Sequence, residues 1–152
     1  MTTANPLLEL EEFLHQRIPL TRAMGLRAVE SSDRGLVVAA PVALNRNHLG
    51  TAFGGSINAV ATVAGYGLLW LALRNEAADM VVRDSAIRYI RPIHETIRAV
   101  CARPGEDEWR AFKTAFGARG KARISLRVRI EEADRVAAEF EGTFVALRRA
   151  AD

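Results

Sequence analysis

The stretch Asn47–Trp70, NHLGTAFGGSINAVATVAGYGLLW, decides how this chain folds. An asparagine, a histidine and three glycines crowd into Asn47–Ser56, and from Ser56 to Leu73 no residue is charged. Glycines cluster where backbone must turn sharply or approach something closely, and helix starts attract negative charge. The stretch predicts a buried helix over about Gly54–Leu73, entered through a glycine-rich turn that is either a ligand site or only a tight corner. Its length is also near that of a bilayer span, about 18 to 20 residues. Against a span, Ser56, Asn58 and Thr62 are polar, and Gly65 and Gly67 interrupt good helix formers. The strands that follow need something apolar to wrap, so the expectation is a core helix and no membrane partner.

Upstream, Asn5-Pro6 reads as a helix entry, a capping side chain followed by proline at the first helical position. Leu7, Leu10 and Leu14 follow at helical spacing until Pro19 closes the element. Ala23–Ser31 and Gly35–Leu44 read as two strands of a hairpin joined through SSDRG, the second apolar enough to be covered on both faces. Downstream, Asp79–Ile93 reads as a long strand ended or kinked by Pro92, with Ile87 and Tyr89 on one face and Arg88 on the other. Glu95–Arg103 is a further strand. Pro104–Gly117 is a short amphipathic helix carrying Trp109, Phe112 and Phe116, with Gly117 as its stop. Lys121–Glu132 alternates apolar and polar residues without a break, and Val136–Arg149 is its hairpin partner across ADR. No repeat or linker divides residues 1–152, which read as one α+β domain. Hairpin-length turns imply a mostly antiparallel sheet, and a single strongly apolar helix means the sheet must curl around it. Such a sheet leaves open edges that a second copy can cover.

At 152 residues, 49% hydrophobic and 26% charged, the chain has the composition of one folded domain. The net charge of +3 is spread along the sequence without a basic block, which argues against a nucleic-acid partner and suits an anionic small ligand. The single cysteine, Cys101, excludes an intrachain disulfide, and no Cys and His set has zinc spacing, so no metal is expected. A cytoplasmic location follows from that cysteine usage and from acidic residues where a secretory signal needs a basic start.

The segment NHLGTAFGGSINAVATVAGYGLLW resembles the N-x-x-G-x-x-[HF]-G-G region of hotdog-fold acyl-CoA thioesterases. It is most similar to the thioesterase domain also found behind some bacterial GNAT acetyltransferases. RDSAIRYIRPI, Arg83–Ile93, resembles the Y-x-[RK]-P strand signature of that group, and GKARISLRV, Gly120–Val128, its glycine-basic strand start. The resemblance implies a hotdog fold, a curved antiparallel sheet around one long helix. It further implies a homodimer or dimer of dimers, an inter-subunit site, and an acyl-CoA or acyl-carrier thioester as substrate. No cofactor is implied beyond the coenzyme A that belongs to the substrate.

The site residues follow from that match. Gly54 and Gly55 would leave helix N–H groups free to hold an oxyanion, or only let the helix start hard against a strand. Asn47 falls on the family asparagine that orients water or the thioester oxygen, although turn chemistry explains both it and Asn45. His48 has the side chain of a general base. The family histidine lies five residues later, where this chain has Phe53, which disfavours a dehydratase. The family acid, two turns into the helix, aligns with Thr62, whose hydroxyl cannot replace a carboxylate as a base. Asn58, Thr62 and Tyr66 form a polar stripe that lines an acyl pocket or satisfies the surrounding sheet, and Ser56 in the first turn is a further substrate-binding candidate. Asp84, beside Ser85 on the third strand, is the nearest candidate carboxylate, and some relatives use a serine there. For the anionic tail of a coenzyme or carrier, Arg88, Arg91, Arg119, Lys121 and Arg123 are the candidate cations. The missing acid keeps a second reading open, a module that binds acyl groups without chemistry.

Overall fold

The computed structural model describes residues 4–74 and 76–150. Helix α1 (Pro6–Arg17) leads into the five-residue α2 (Pro19–Ala23), and strands β1 (Arg27–Ser32) and β2 (Gly35–Pro41) form a hairpin. After a 3-10 turn at Val42–Leu44 comes the long helix α3 (Gly54–Ala72). Strands β3 (Ala78–Tyr89) and β4 (Thr96–Ala102), helix α4 (Glu106–Arg119), and strands β5 (Lys121–Glu132) and β6 (Arg135–Arg148) complete the order. The six strands make one antiparallel sheet in the order β1-β2-β4-β5-β6-β3. It curls around α3, the architecture the sequence implies.

Alternation on β5 sets the two faces of the sheet. Ala122, Ile124, Leu126, Val128 and Ile130 are buried while Lys121, Arg123, Ser125, Arg127 and Arg129 are exposed. The inward row meets Ile57, Val60, Ala61, Ala64 and Leu68 of α3 in one core. Gly65 and Gly67 explain their place in a helix. A Cβ on Gly65 would lie 2.5 Å from the Phe144 ring, and one on Gly67 would lie 2.7 Å from Leu36. Both glycines let inward side chains of the sheet press on the helix backbone. Although α3 is long and apolar enough to cross a membrane, half of its most apolar window is buried inside this fold. Phe13 of α1 stacks on Trp70 at 5.2 Å, covering the C-terminal half of the helix. Cys101, on β4, is fully buried, and burial pushes its thiol up to about 12.

Several boundaries differ from the sequence reading. Pro19 does not simply close α1: Ile18 breaks the helix, and Pro19 opens α2 as its first residue. The first strand starts at Arg27, because Met24 and Gly25 form a turn in which Gly25 has φ +66°. The second strand ends at Pro41 rather than Leu44. The third ends at Tyr89, before Ile93, where the amides of Ile90 and Arg91 both turn onto the Ala137 carbonyl. Gly117 is not the stop of α4. The helix runs through it to Arg119, and Gly120 at φ +67° is the left-handed cap.

The two kinds of glycine predict opposite mutational signs. Gly117 is solvent-exposed with open space around its Cβ position, so Gly117→Ala is expected to stabilise the fold by about 1 kcal/mol. Gly35 has φ +142°, and a Cβ there would lie 2.0 Å from the Cys101 carbonyl oxygen. Gly35→Ala is expected to cost about 3 kcal/mol or more. Urea unfolding of the two variants checks both signs.

Candidate active site at the start of the central helix

The route into α3 is built by backbone ties. Asn45 is buried, and its carboxamide donates to the carbonyls of Met24 (2.9 Å) and Pro41 (2.8 Å). Its own carbonyl accepts from the Phe53 amide at 2.7 Å. Asn47 Oδ1 accepts from the amides of Leu49 (2.9 Å) and Thr51 (3.1 Å), and Nδ2 donates to Thr51 Oγ1 at 2.9 Å. Both asparagines thus spend their side chains on shaping the turn. His48 is exposed at the tip of the same loop.

A second loop clasps this one. Ala52 N–H donates to the Ile93 carbonyl and Val42 N–H to that of Glu95, each at 2.9 Å. The clasping loop is itself held by Glu132, whose carboxylate accepts from the amides of His94 (2.9 Å), Glu95 (2.7 Å) and Thr96 (3.2 Å). Burial raises the carboxyl's pKa, but these amides and the His94 side chain outweigh it and leave the group below its ordinary value. No sequence signal marks Glu132, which looks like any charge before a turn.

The helix start has no side-chain cap. Its N-cap is Phe53, whose ring cannot accept a hydrogen bond, and the first helical bond runs from Ile57 N–H to the Phe53 carbonyl at 3.0 Å. The amides of Gly54, Gly55 and Ser56 precede that bond and have no acceptor within the helix. Gly54 and Ser56 are half-buried and Gly55 is exposed. A Cβ on Gly55 would lie 2.6 Å from the Phe53 ring, so the glycine lets that ring fold over the first turn. Phe53 is itself 56% exposed. Tyr89, at the end of β3, donates its hydroxyl to the Gly54 carbonyl at 2.9 Å and pins the turn to the sheet. The Y-x-[RK]-P signature contains this tyrosine, so its signal was present in the sequence without a role attached.

Along α3 the polar stripe is half-buried. Thr62 Oγ1 donates to the Asn58 carbonyl at 2.9 Å, which leaves the hydroxyl oxygen as an acceptor. Asn58 Oδ1 is shielded from solvent and has no hydrogen-bond partner among the described residues. Tyr66 lies beside Phe13, and burial, then the Asp79 carboxylate, raises its hydroxyl pKa. The stripe therefore satisfies the fold at Thr62 but leaves an orphan oxygen at Asn58, one turn inside the bare helix start.

The remaining candidates separate. A register shift in β3 pairs Asp84 with Thr143 and Ser85 with Gly142, so the two fall on opposite faces of the sheet. Gly142 is buried beside Phe144, which puts Ser85 on the helix side and Asp84 on the outer face. Asp84 is there exposed, 3.9 Å from Arg83 Nε. Arg88 pairs with Glu139 at 2.7 Å, and Arg91 Nε donates to the Val136 carbonyl at 2.9 Å. Arg119, Lys121 and Arg123 gather elsewhere, beside α4. The five cations are thus not brought together at the start of α3.

A curved antiparallel sheet closed around one helix, with bare amides at that helix's start, defines a hotdog protein. The family model described as "Putative thioesterase (yiiD_Cterm)" matches residues 7–148, and the chain belongs to that thioesterase family. A protein of unknown function from Chlorobaculum tepidum is 32% identical over 93% of this chain and 94% of its own, with a TM-score of 0.86. A protein from Shewanella oneidensis described as a "putative thioesterase" is 30% identical over 93% and 97%, with a TM-score of 0.84. A Pseudomonas aeruginosa protein described as "of Unknown Function" and "Probable Thioesterase" is 26% identical over 93% and 96%, with a TM-score of 0.78.

Glu132 generates a prediction with a worked sign. A carboxyl whose folded pKa is depressed stabilises the fold above its unfolded value, near 4.5, and loses that contribution as pH falls through the folded value. Glu132→Gln is expected to cost about 1.5 to 3 kcal/mol at pH 7, the range for hydrogen bonds to a charged group. In urea titrations the gap between wild type and variant should stay constant from pH 8 to 6 and shrink below pH 4.5.

Proposed function

We propose that this chain is a cytoplasmic acyl-thioester hydrolase acting on acyl-CoA or an acyl-carrier thioester. The observation that carries the reading is the uncapped start of α3, where the amides of Gly54, Gly55 and Ser56 have no acceptor within the helix. Such donors stabilise the negative oxygen that develops on a thioester carbonyl under attack, and the helix dipole reinforces them. A water oxygen bonds to the carbonyl carbon and the C–S bond then breaks, giving a carboxylic acid and a free thiol. Thr62 Oγ1, whose hydrogen is donated to the Asn58 carbonyl, keeps a lone pair that accepts from that water, and Asn58 Oδ1, closed to solvent in the free chain, takes its hydrogen bond only from water that enters with the bound substrate. His48, exposed on the loop that enters the helix, is the general base of this reading. Asp84, on the outer face of the sheet, is set aside.

The site is completed between two copies in this reading. Strand β3 is an edge of the sheet and exposes Val82 and Tyr89, Ile90 just after it is also exposed, and so is Phe53 at the nearby helix start. An apolar edge of this kind is a template for a second copy, as a homodimer or as half of a dimer of dimers.

The absence of a carboxylate from α3 and the engagement of Thr62 favour one alternative, an acyl-binding module without chemistry. Thiol release from a panel of acyl-CoAs, measured beside binding of a non-hydrolysable analogue, separates the two. Hydrolysis is expected for at least one chain length. Tight binding with no thiol release across the panel would establish the module instead.

Asn58 supplies the mutational test. Asn58→Leu removes an unpartnered buried oxygen at nearly constant shape, so the fold is expected to gain about 1 kcal/mol. Turnover should fall on the order of 100-fold, because the water loses its positioning acceptor. A variant that is more stable and equally fast would remove Asn58 from the reaction.

A further inference from the structure

The outer face of the sheet carries a feature the hydrolytic reading does not use. Beside α4 lies a trough of about 1310 Å³, floored by β3, β5 and β6. Its cations are distinguished by their neighbours. On the outer row of β5, Arg127 and Arg129 stand opposite Glu141 and Glu139, and each lies within ion-pair reach of a carboxylate, Glu141 and Glu131. Two turns of the pleat earlier the row changes character. Lys121 stands opposite Leu147 and Arg123 opposite Val145. Arg119, at the end of α4, joins them on the rim. Among the described residues none of these three makes an ion pair, although 12 such pairs occur elsewhere in the fold. Among the described residues the one carboxylate lining the trough is Glu108, and Asp79 beyond Leu147 is already paired with Arg149 at 3.0 Å.

The layout is striped. Lys121 and Arg123 form a cationic row along β5; Val145 and Leu147 form an apolar row along β6, continued by Val81 on β3. Ala111 and Ala115 make a low wall on α4 that permits close approach. Stripes of charge and apolar surface running side by side match an amphipathic helix laid along the strands. The spacing agrees. Residues two apart on a strand repeat about every 6.7 Å, and acids four apart on a helix about every 6 Å. The trough is also larger than the roughly 300 to 1,000 Å³ of a small-molecule pocket.

We propose that this trough docks an acidic amphipathic helix of a partner protein, with Glu or Asp at i, i+4 facing Lys121 and Arg123 and an adjoining apolar face on Val145 and Leu147. The docking surface is independent of the hydrolytic reading, since it is tested by binding alone.

The probe is a fluorescein-labelled helical peptide of four turns, with glutamates at i, i+4 beside a leucine face, titrated with the full chain and read by anisotropy. Binding is expected to weaken about ten-fold in the double variant Lys121→Glu, Arg123→Glu, and to weaken with added salt. A peptide with lysines in place of the glutamates should prefer the double variant over wild type. The double variant Lys121→Ala, Arg123→Ala, expected to weaken binding less, supplies the same comparison if the charge reversal disturbs folding. Equal affinity of wild type and both double variants for the acidic peptide would overturn the proposal. So would competition-free binding of adenosine 3′,5′-bisphosphate that alone responds to the variants, which assigns the trough to a nucleotide. A change of sedimentation coefficient in the variants without peptide would assign it to contact between copies, and would overturn the proposal equally.

Discussion

Gly65 and Gly67 leave the backbone of α3 bare where Phe144 and Leu36 press on it, and much of the molecule depends on that close seat. A helix carrying side chains at those positions would ride higher on the sheet and lose its interlock with β2 and β6. Each glycine lowers intrinsic helix stability by about 1 kcal/mol relative to alanine, so packing must compensate for the choice. The seat also fixes where the helix begins along its own axis. Its first turn emerges beside the end of β3, within reach of the Tyr89 hydroxyl. The uncapped amides therefore occupy a defined place on a rigid element, a condition for using them as preorganised donors.

Two loops transmit that rigidity to the helix start. Residues 45–53 approach α3 through side-chain and backbone bonds from Asn45 and Asn47, and the loop after β3 grips them through Ile93 and holds Val42, just before them, through Glu95. Glu132 anchors the gripping loop from the far end of β5. The chain thus spends its polar groups around the site on holding backbone. Among the described residues it leaves free the first-turn amides of α3, the oxygen of Asn58 and the side chain of His48.

Much of the architecture was legible in the sequence because its signals are periodic. The unbroken alternation of Lys121–Glu132 reports a half-buried strand, and its boundaries match the structure. The uncharged run after Phe53 reports the one helix that must be enclosed. Local boundaries failed where two residues of one type compete for one role. Gly117 and Gly120 both look like helix stops, and only the backbone angle separates them. The site was less legible. Asn47 and Asn45 look alike in a turn, and their hydrogen-bond partners lie up to 21 residues away. Asp84 and Ser85 are adjacent in sequence, and a register shift just before them in β3 decides which faces the helix. The candidate cations look alike in the sequence, but Arg88 is paired with Glu139 and Arg91 with the Val136 carbonyl, whereas Lys121 and Arg123 stand opposite Leu147 and Val145 on β6.

The lone cysteine has a practical meaning for bench work on this protein. Cys101 is sealed in the core and its thiol ionises only near 12, so almost no nucleophilic thiolate exists at neutral pH. An aromatic disulfide reagent added to a reaction stays blind to the native chain. Colour that grows in a blank lacking any acyl donor then counts unfolded molecules.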